Sequence, residues 1–210
     1  SRPERFFSRL HLAVKSAGLQ EQITTAGTVI VSPGPCSLTV LSPSRSQRAE
    51  RDGSWTVSSG KDLNNGSLVT RLECGKHSFL FTADVEQQSL DELLHVSNGF
   101  SARIVKVPHH GAKSSLNHEW VNQLQAETMV VSVGAHNRYG HPAPEVLDAY
   151  EKRGLPLYRT DRDGAVWFTA TPSLDDMTVR TAREGILLQV QAGPGMWREE
   201  WANWTRIRNR

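Results

Sequence analysis

The sequence predicts an α/β fold in which helices are layered on a sheet. Through the middle of the chain, β-rich runs such as "HSFLFTAD", "RIVKV" and "TMVVSV" alternate with helical stretches such as "SLDELLHV" and "APEVLDAYEKRG". Strands that alternate with helices build layered α/β folds. With 210 residues, 38% of them hydrophobic and 22% charged, the chain is long enough for one domain with a sizeable core and ordinary in composition for a globular protein.

The elements follow in order. "RPERFFSRLHLAVKSAG" predicts an amphipathic helix, with Pro3 suited to its first turn, Phe7, Leu10 and Val14 on one face, and Gly18 able to end it. "GTVIV" and "SLTVL" predict short strands around the turn "SPGP". From Ser42 to Gly66 the composition shifts to Ser, Arg, Gly and Asn, which predicts an exposed, mobile loop with Trp55 as its one apolar anchor. "SLVTRLE" and "HSFLFTAD" predict strands across the tight connection "CGK". In "SLDELLHV", Ser89 and Glu92 form a capping box, which starts a helix at that serine. "RIVKV" and "TMVVSV" predict buried strands, and "NHEWVNQLQ" a short helix capped by Asn117. "APEVLDAYEKRG" predicts a helix with Pro144 near its start and Gly154 just past its end. "LPLYRTDRDGAVWFTA" predicts a hairpin turning at Asp163-Gly164. The C-terminal region reads as two strands, "MTVRTA" and "ILLQVQ", and a last helix, "MWREEWANWTRIRNR", so a domain spanning 1–172 is expected to be followed by an extension over 173–210.

Several classes are disfavoured. No run approaches the roughly 18 apolar residues of a membrane helix. No basic-then-apolar leader opens the chain. A net charge of +2 neither demands nor forbids a nucleic-acid partner. Cys36 and Cys74 fit no metal or redox spacing and are read as small buried residues, with a single disulfide as the alternative. In the tail, Trp197, Trp201 and Trp204 share one helical face ahead of Arg206, Arg208 and Arg210. That face either docks on the domain or offers a basic aromatic surface for single-stranded DNA or lipid headgroups.

Three places gather metal-ligating residue types. Asp84 ends "FLFTAD", His109 and His110 end "RIVKVP", and His141 follows "TMVVSVG" in "GAHNRYGHP". All lie where a strand gives way to a loop, and α/β sheets collect their sites at the carboxyl ends of strands. If the strands are neighbours, the residues meet along one edge. Carboxylate with imidazole suits zinc or manganese better than calcium. Gly111 permits a backbone that aims both adjacent imidazoles at one spot. His11, His77, His95, His118 and His136 are read as surface or hydrogen-bonded residues.

The ordered motifs "NNGSLVTRLECGKHSFLFTADVE", "VKVPHHGAKSS", "VSVGAHNRYGHPAPEVL" and "LYRTDRDGAVWF" resemble the ComEC family of competence DNA-uptake proteins, over about Gly27 to Ala170. The likeness is to their C-terminal metallo-β-lactamase-like domain, an αββα sandwich. Ala83 and Ala112 stand where the family usually has Gly and Ser. The hallmark H-x-H-x-D-H string, or its close variant, is absent. The family carries it upstream of the segment matching Glu4 to Gly18, so the expected fold is the C-terminal half of the sandwich plus a strand-helix extension, either cut from a longer protein, which is favoured, or a natural degenerate form.

The resemblance implies a metal-dependent phosphodiesterase that degrades the DNA strand not imported. Asp84 would bridge two divalent ions, zinc or manganese. One of His109 and His110 would be a ligand, with His110 favoured, and the other would face the scissile phosphate. His141 would be a phosphate contact or general acid at the rim. Lys106 and Lys113 would hold the substrate backbone, although plain solvated lysine is the simpler reading of each. Asn65 and Ser67 lie where related folds carry a further ligand and would position water. Catalysis would follow two-metal logic, with a bridging hydroxide attacking phosphorus in line. The ligands in this chain hold at most one ion weakly, so it is expected to be inactive alone. The implied partners are single-stranded DNA, the N-terminal half of the domain and membrane channel segments. The implied location is membrane-associated and extracytoplasmic, with cytoplasmic as the alternative. Two rival functions remain: a free hydrolase of the same fold acting on a small phosphoester or lactone, and a non-catalytic module that binds DNA or assembles a channel.

Overall fold

The computed structural model describes residues 3–20, 24–31, 34–44, 60–96 and 100–184. Seven strands form one sheet in sequence order: β1 (Val29–Val31), β2 (Cys36–Ser42), β3 (Val69–Cys74), β4 (His77–Phe81), β5 (Ile104–Lys106), β6 (Thr128–Val131) and β7 (Leu157–Arg159). The first four pair antiparallel, and β4 to β7 pair in parallel. The helices are α1 (Pro3–Ser16), α2 (Gly60–Asn65), α3 (Gln87–Leu94), α4 (His118–Gln123), α5 (Pro144–Glu151) and the single turn α6 (Thr160–Asp163). A separate hairpin pairs β8 (Val166–Ala170) with β9 (Met177–Thr181). The mixed α/β class is therefore as the sequence predicts.

Parallel neighbours need crossovers, and α3, α4 and α5 lie in the connections that follow β4, β5 and β6. Residues paired in register share a sheet face, so Leu80, Val105, Met129 and Leu157 form one row. Leu80, Val105 and Met129 are fully buried in one cluster with Leu90 and Leu93 of α3, Trp120 and Val121 of α4, and Val146 and Tyr150 of α5. The opposite face carries Ile30, Leu38, Leu72, Phe79 and Ile104 in one register row. Phe168 of the β8–β9 hairpin packs edge-on to Phe79 and Tyr158 there. Leu38, Leu72 and Phe79 are only half-buried, and Ile30 and Phe81 remain 47% and 44% exposed. One face is thus a finished core and the other an apolar surface partly covered by a hairpin.

Several expectations need correction. Cys36 and Cys74 are register partners on β2 and β3, with Cα atoms 4.1 Å apart, and form a disulfide; both are half-buried rather than buried. Long-range strand register, invisible in the spacing, brings them together. The loop expected over 42–66 is shorter, because Ser42 belongs to β2 and 60–65 is helical; residues 45–59, Trp55 included, lie outside the described residues. The third helix starts before Ser89. Glu86 is its N-cap residue without a side-chain cap bond. Instead Asn65 Oδ1, from α2, accepts the N–H groups of Glu86 and Ser89 at 3.1 and 3.3 Å, and buried Ser89 donates its hydroxyl to Asn65 O at 2.6 Å. A residue 21 positions away does the capping that Ser89 was expected to do.

The run "LPLYRTDRDGAVWFTA" is no hairpin: β7 pairs with β6 and β8 with β9. Asp163 Oδ2 accepts the Arg159 N–H at 2.7 Å, closing a helical turn that carries the chain out of the main sheet. β9 lies past residue 172 yet pairs with β8, so the hairpin crosses the expected domain boundary. His77, read as hydrogen-bonded, is buried and pins this hairpin's loop: its Nε2 lies 3.1 and 3.0 Å from the carbonyls of Thr171 and Leu174, while Arg103 reaches its Nδ1 at 3.3 Å. The Asn117 cap is present, its Oδ1 accepting the Trp120 N–H at 3.0 Å. Helix α1 forms where expected, but Leu10 and Leu12 are exposed. "ILLQVQ", the tryptophan face and the terminal arginines lie outside the described residues.

Candidate functional site

The carboxyl ends of β4, β5 and β6 are adjacent in the sheet, and each leads into one group of candidate residues. The β4 end is tied to the β5 end by three bonds. Thr82 Oγ1 donates to Lys106 O at 2.7 Å, and Ala83 O accepts both the His109 N–H at 3.1 Å and the Lys106 ammonium at 3.0 Å. Ala83 itself has φ 50°, the left-handed conformation that explains a preference for glycine there.

The histidine pair lies in a tight turn after β5. His109 has φ 45° and His110 φ 55°, followed by Gly111 at φ 77°. Three successive left-handed residues fold the chain back on itself, so the two histidines themselves adopt the conformation the sequence assigned to glycine. Such backbone costs L-residues about 1–2 kcal/mol each, although histidine tolerates it better than most. Local strain retained at a cluster of ionisable groups points to function.

The side chains converge. His110 Nδ1 lies 2.6 Å from Ser132 O at the end of β6, which makes Nδ1 the protonated nitrogen and turns Nε2 toward Asp84, with Oδ1 at 3.4 Å. His109 Nδ1 faces Glu86 Oε1 at 3.4 Å, and that oxygen accepts the Asn64 side-chain amide at 2.8 Å. The His109 ring centroid is 6.2 Å from that of His110 and 5.9 Å from that of His141. Burial, and then the neighbouring His109 and His110, hold the His141 imidazole below its ordinary pKa, so it is neutral where a free histidine would begin to charge.

The remaining candidates are placed differently. Lys106 is half-buried, its ammonium bonding the Ala83 and Val107 carbonyls at 3.0 and 3.4 Å; burial lowers its pKa, opposed by Asp84. It braces the Asp84 turn and is not the solvated lysine of the simpler reading. Lys113 is exposed and pairs with Glu145 at 2.6 Å. The Asn65 side-chain oxygen is committed to the α3 N-terminus, and Ser67 donates its N–H to Asn64 O at 3.0 Å.

Two residues of the corner escaped the sequence reading. Glu86, only 8% exposed, sits against His109; its signal was the carboxylate two positions after Asp84, in "DVE". Asn137 holds the His141 loop: Oδ1 accepts the N–H groups of Tyr139 and His141 at 3.2 and 3.0 Å, while Nδ2 donates to Gly134 O and His141 O at 3.1 and 2.7 Å. An asparagine between turn residues is the cue for such a loop.

The 3.4 Å between His110 Nε2 and Asp84 Oδ1 matches the edge of a tetrahedron with bonds of about 2.1 Å. A catalytic zinc takes about three protein ligands, and among the described residues no group of three His, Cys, Asp or Glu side chains is placed to hold an ion. The described residues therefore do not by themselves make a metal centre.

No protein-family model matches the chain. It is similar to ComE operon protein 3 of Bacillus subtilis (strain 168), 37% identical over 105 residues, which cover 50% of this chain and 14% of that protein. Competence protein ComA of Neisseria gonorrhoeae is 31% identical over 108 residues, 51% of this chain and 16% of that protein. Recombination protein 2 of Haemophilus influenzae is 25% identical over 103 residues, 49% of this chain and 13% of that protein. About half of this chain thus aligns with each of these proteins. It spans less than a fifth of the length of these relatives. Among the described residues no helix is long and apolar enough to cross a membrane.

Proposed function

We propose that this chain is the DNA-processing part of a ComEC-like competence protein, and that its histidine corner engages a DNA phosphodiester as part of a metal-dependent phosphodiesterase. One observation carries the reading: Asp84, His109, His110 and His141, from three neighbouring strand ends, face one another around a strained turn. The competence proteins that resemble this chain favour DNA as the polymer. Location at a membrane, through segments of the longer protein, on its extracytoplasmic side, belongs to the same reading, and the Cys36–Cys74 disulfide favours an oxidising compartment.

The geometry supports a role for each residue in this reading. The Ser132 carbonyl fixes the His110 tautomer, and Glu86 lies against the buried Nδ1 side of the His109 ring, leaving its other nitrogen for substrate. His141, its imidazole held below the ordinary pKa by burial and then by His109 and His110, donates an N–H hydrogen bond to a phosphate oxygen in this reading. Lys106 holds the Asp84 turn in place.

The test is cleavage of single-stranded DNA by the full-length protein with manganese or zinc, alongside metal content by mass spectrometry. Asp84→Asn and His110→Asn are expected to lower both. Metal-dependent cleavage that is unchanged in both variants would overturn the assignment. A second reading, a non-catalytic DNA-binding module, is favoured by the incomplete donor set among the described residues. It predicts DNA binding without cleavage under any metal, and without loss of metal in the variants.

A further inference from the structure

We propose that Tyr139 is a stacking platform for a nucleobase of single-stranded DNA whose phosphate lies at the histidine corner. The inference rests on the DNA-phosphate reading above and deepens it.

The Tyr139 ring is 67% exposed, the most water-facing large hydrophobic side chain among the described residues. A lone exposed aromatic is commonplace. This one is held in place. Its ring lies nearly parallel to the His141 imidazole, with centroids 5.8 Å apart and planes at 18°. The Arg138 guanidinium carbon is 5.1 Å from the ring centroid, and Arg138 Nη2 donates to Tyr139 Oη at 3.0 Å. In the same loop, the Asn137 side chain accepts the backbone N–H groups of both Tyr139 and His141. The His141 and Arg138 contacts restrict the ring's rotamers, which lowers the ordering entropy that binding must offset.

These are the parts a single-stranded DNA site needs. An aromatic face accepts any base, and an adjacent arginine supplies cation–π attraction and a phosphate partner. A nucleotide whose phosphate meets His141 carries its base within reach of a ring 5.8 Å away. Base stacking has no hydrogen-bond code, so the platform is sequence-tolerant. The adjacent Arg138 and Tyr139 thereby link backbone contact to base contact at the rim.

The experiment uses the full-length protein with a chelator present, so that nothing is cleaved. Fluorescence anisotropy measures binding of a labelled oligothymidylate and of an abasic oligomer of the same length and charge, at one fixed salt concentration. Tyr139→Ala is expected to weaken oligothymidylate binding about 5- to 150-fold, and to leave abasic binding unchanged. Tyr139→Phe keeps the stacking face but loses the Arg138 hydrogen bond, and is expected to weaken oligothymidylate binding far less than Tyr139→Ala does. The ring's exposure means its truncation opens no core, and equal thermal melts confirm the fold. If Tyr139→Ala weakens both oligomers equally, or neither, the stacking role is overturned while the phosphate reading stands. If the parent protein binds neither oligomer, the DNA reading fails and the platform fails with it.

Discussion

Replacing Gly111 by alanine tests whether the histidine turn is held against the His141 loop by contact or merely by backbone conformation. Gly111 has φ +77°, and a Cβ there would sit 2.5 Å from Pro142 Cβ and 3.1 Å from Pro142 Cα. Gly154 is the internal control: its φ is +67°, but an added Cβ meets nothing within 4 Å. Gly154→Ala therefore costs only the left-handed term of about 1–2 kcal/mol, less about 0.4–1 from a stiffer unfolded chain. Gly111→Ala carries the same term plus overpacking of about 1–3 kcal/mol, because Pro142 is buried and rigid. The two variants should differ by about 1–3 kcal/mol, or roughly 2–12 °C in Tm at about 2–4 °C per kcal/mol for a chain of this size. Circular-dichroism melts of both variants beside the parent measure this. Because Pro142 follows His141, only Gly111→Ala should also broaden or shift the His141 imidazole resonances. Equal destabilisation by the two substitutions, with His141 undisturbed in both, would refute the contact.

Four further outcomes are expected. Ala83→Gly, relieving φ 50° beside Asp84, should raise stability by roughly 0.5–1 kcal/mol, the left-handed cost less the glycine entropy, and a lower Tm would show the turn is unstrained. Asn65→Ala should cost about 0.5–2 kcal/mol by leaving the α3 N-terminus uncapped, while Asn65→Asp should retain most of the stability; equal losses in denaturant titrations would sink the capping role. Reducing the Cys36–Cys74 disulfide, with a sequence separation of 38, should lower stability by up to about 4 kcal/mol on chain entropy, and mass spectrometry finding two free thiols in protein purified without reductant would contradict the pairing. His141 should titrate by NMR below the ordinary value near 6.5, because burial and then His109 and His110 oppose its charge; its contribution to stability is complete above that ordinary value and is lost as the pH falls from there through the lower folded value, since the unfolded chain binds the proton more readily. His141→Gln should flatten that acid-side slope, and an unchanged slope would assign it elsewhere.

Local signals carried most of the main sheet. Six strands and the α1, α4 and α5 helices stand close to where alternation, Pro144, Asn117 and the glycines placed them, because period and capping are properties of a few adjacent residues. The gathering of Asp84, the histidine pair and His141 was legible for a related reason: each ends a strand, and parallel strands bring their carboxyl ends to one edge. What the sequence left open depends on contacts between distant positions. The Cys36–Cys74 bond follows from β2–β3 register, and the Asn65 cap comes from another helix. The split of β7 from β8 was hidden because an Asp-Gly pair marks a turn without saying which strands it joins. Likewise "HHG" announced a special turn, but only the folded backbone put φ above zero on the histidines and set Glu86 against one ring and Ser132 O against the other. Sequence by itself determined which residues have the chemistry and at which strand ends they stand; tertiary structure alone decided which nitrogen faces which oxygen, because imidazole orientation is set by hydrogen-bond partners far away along the chain.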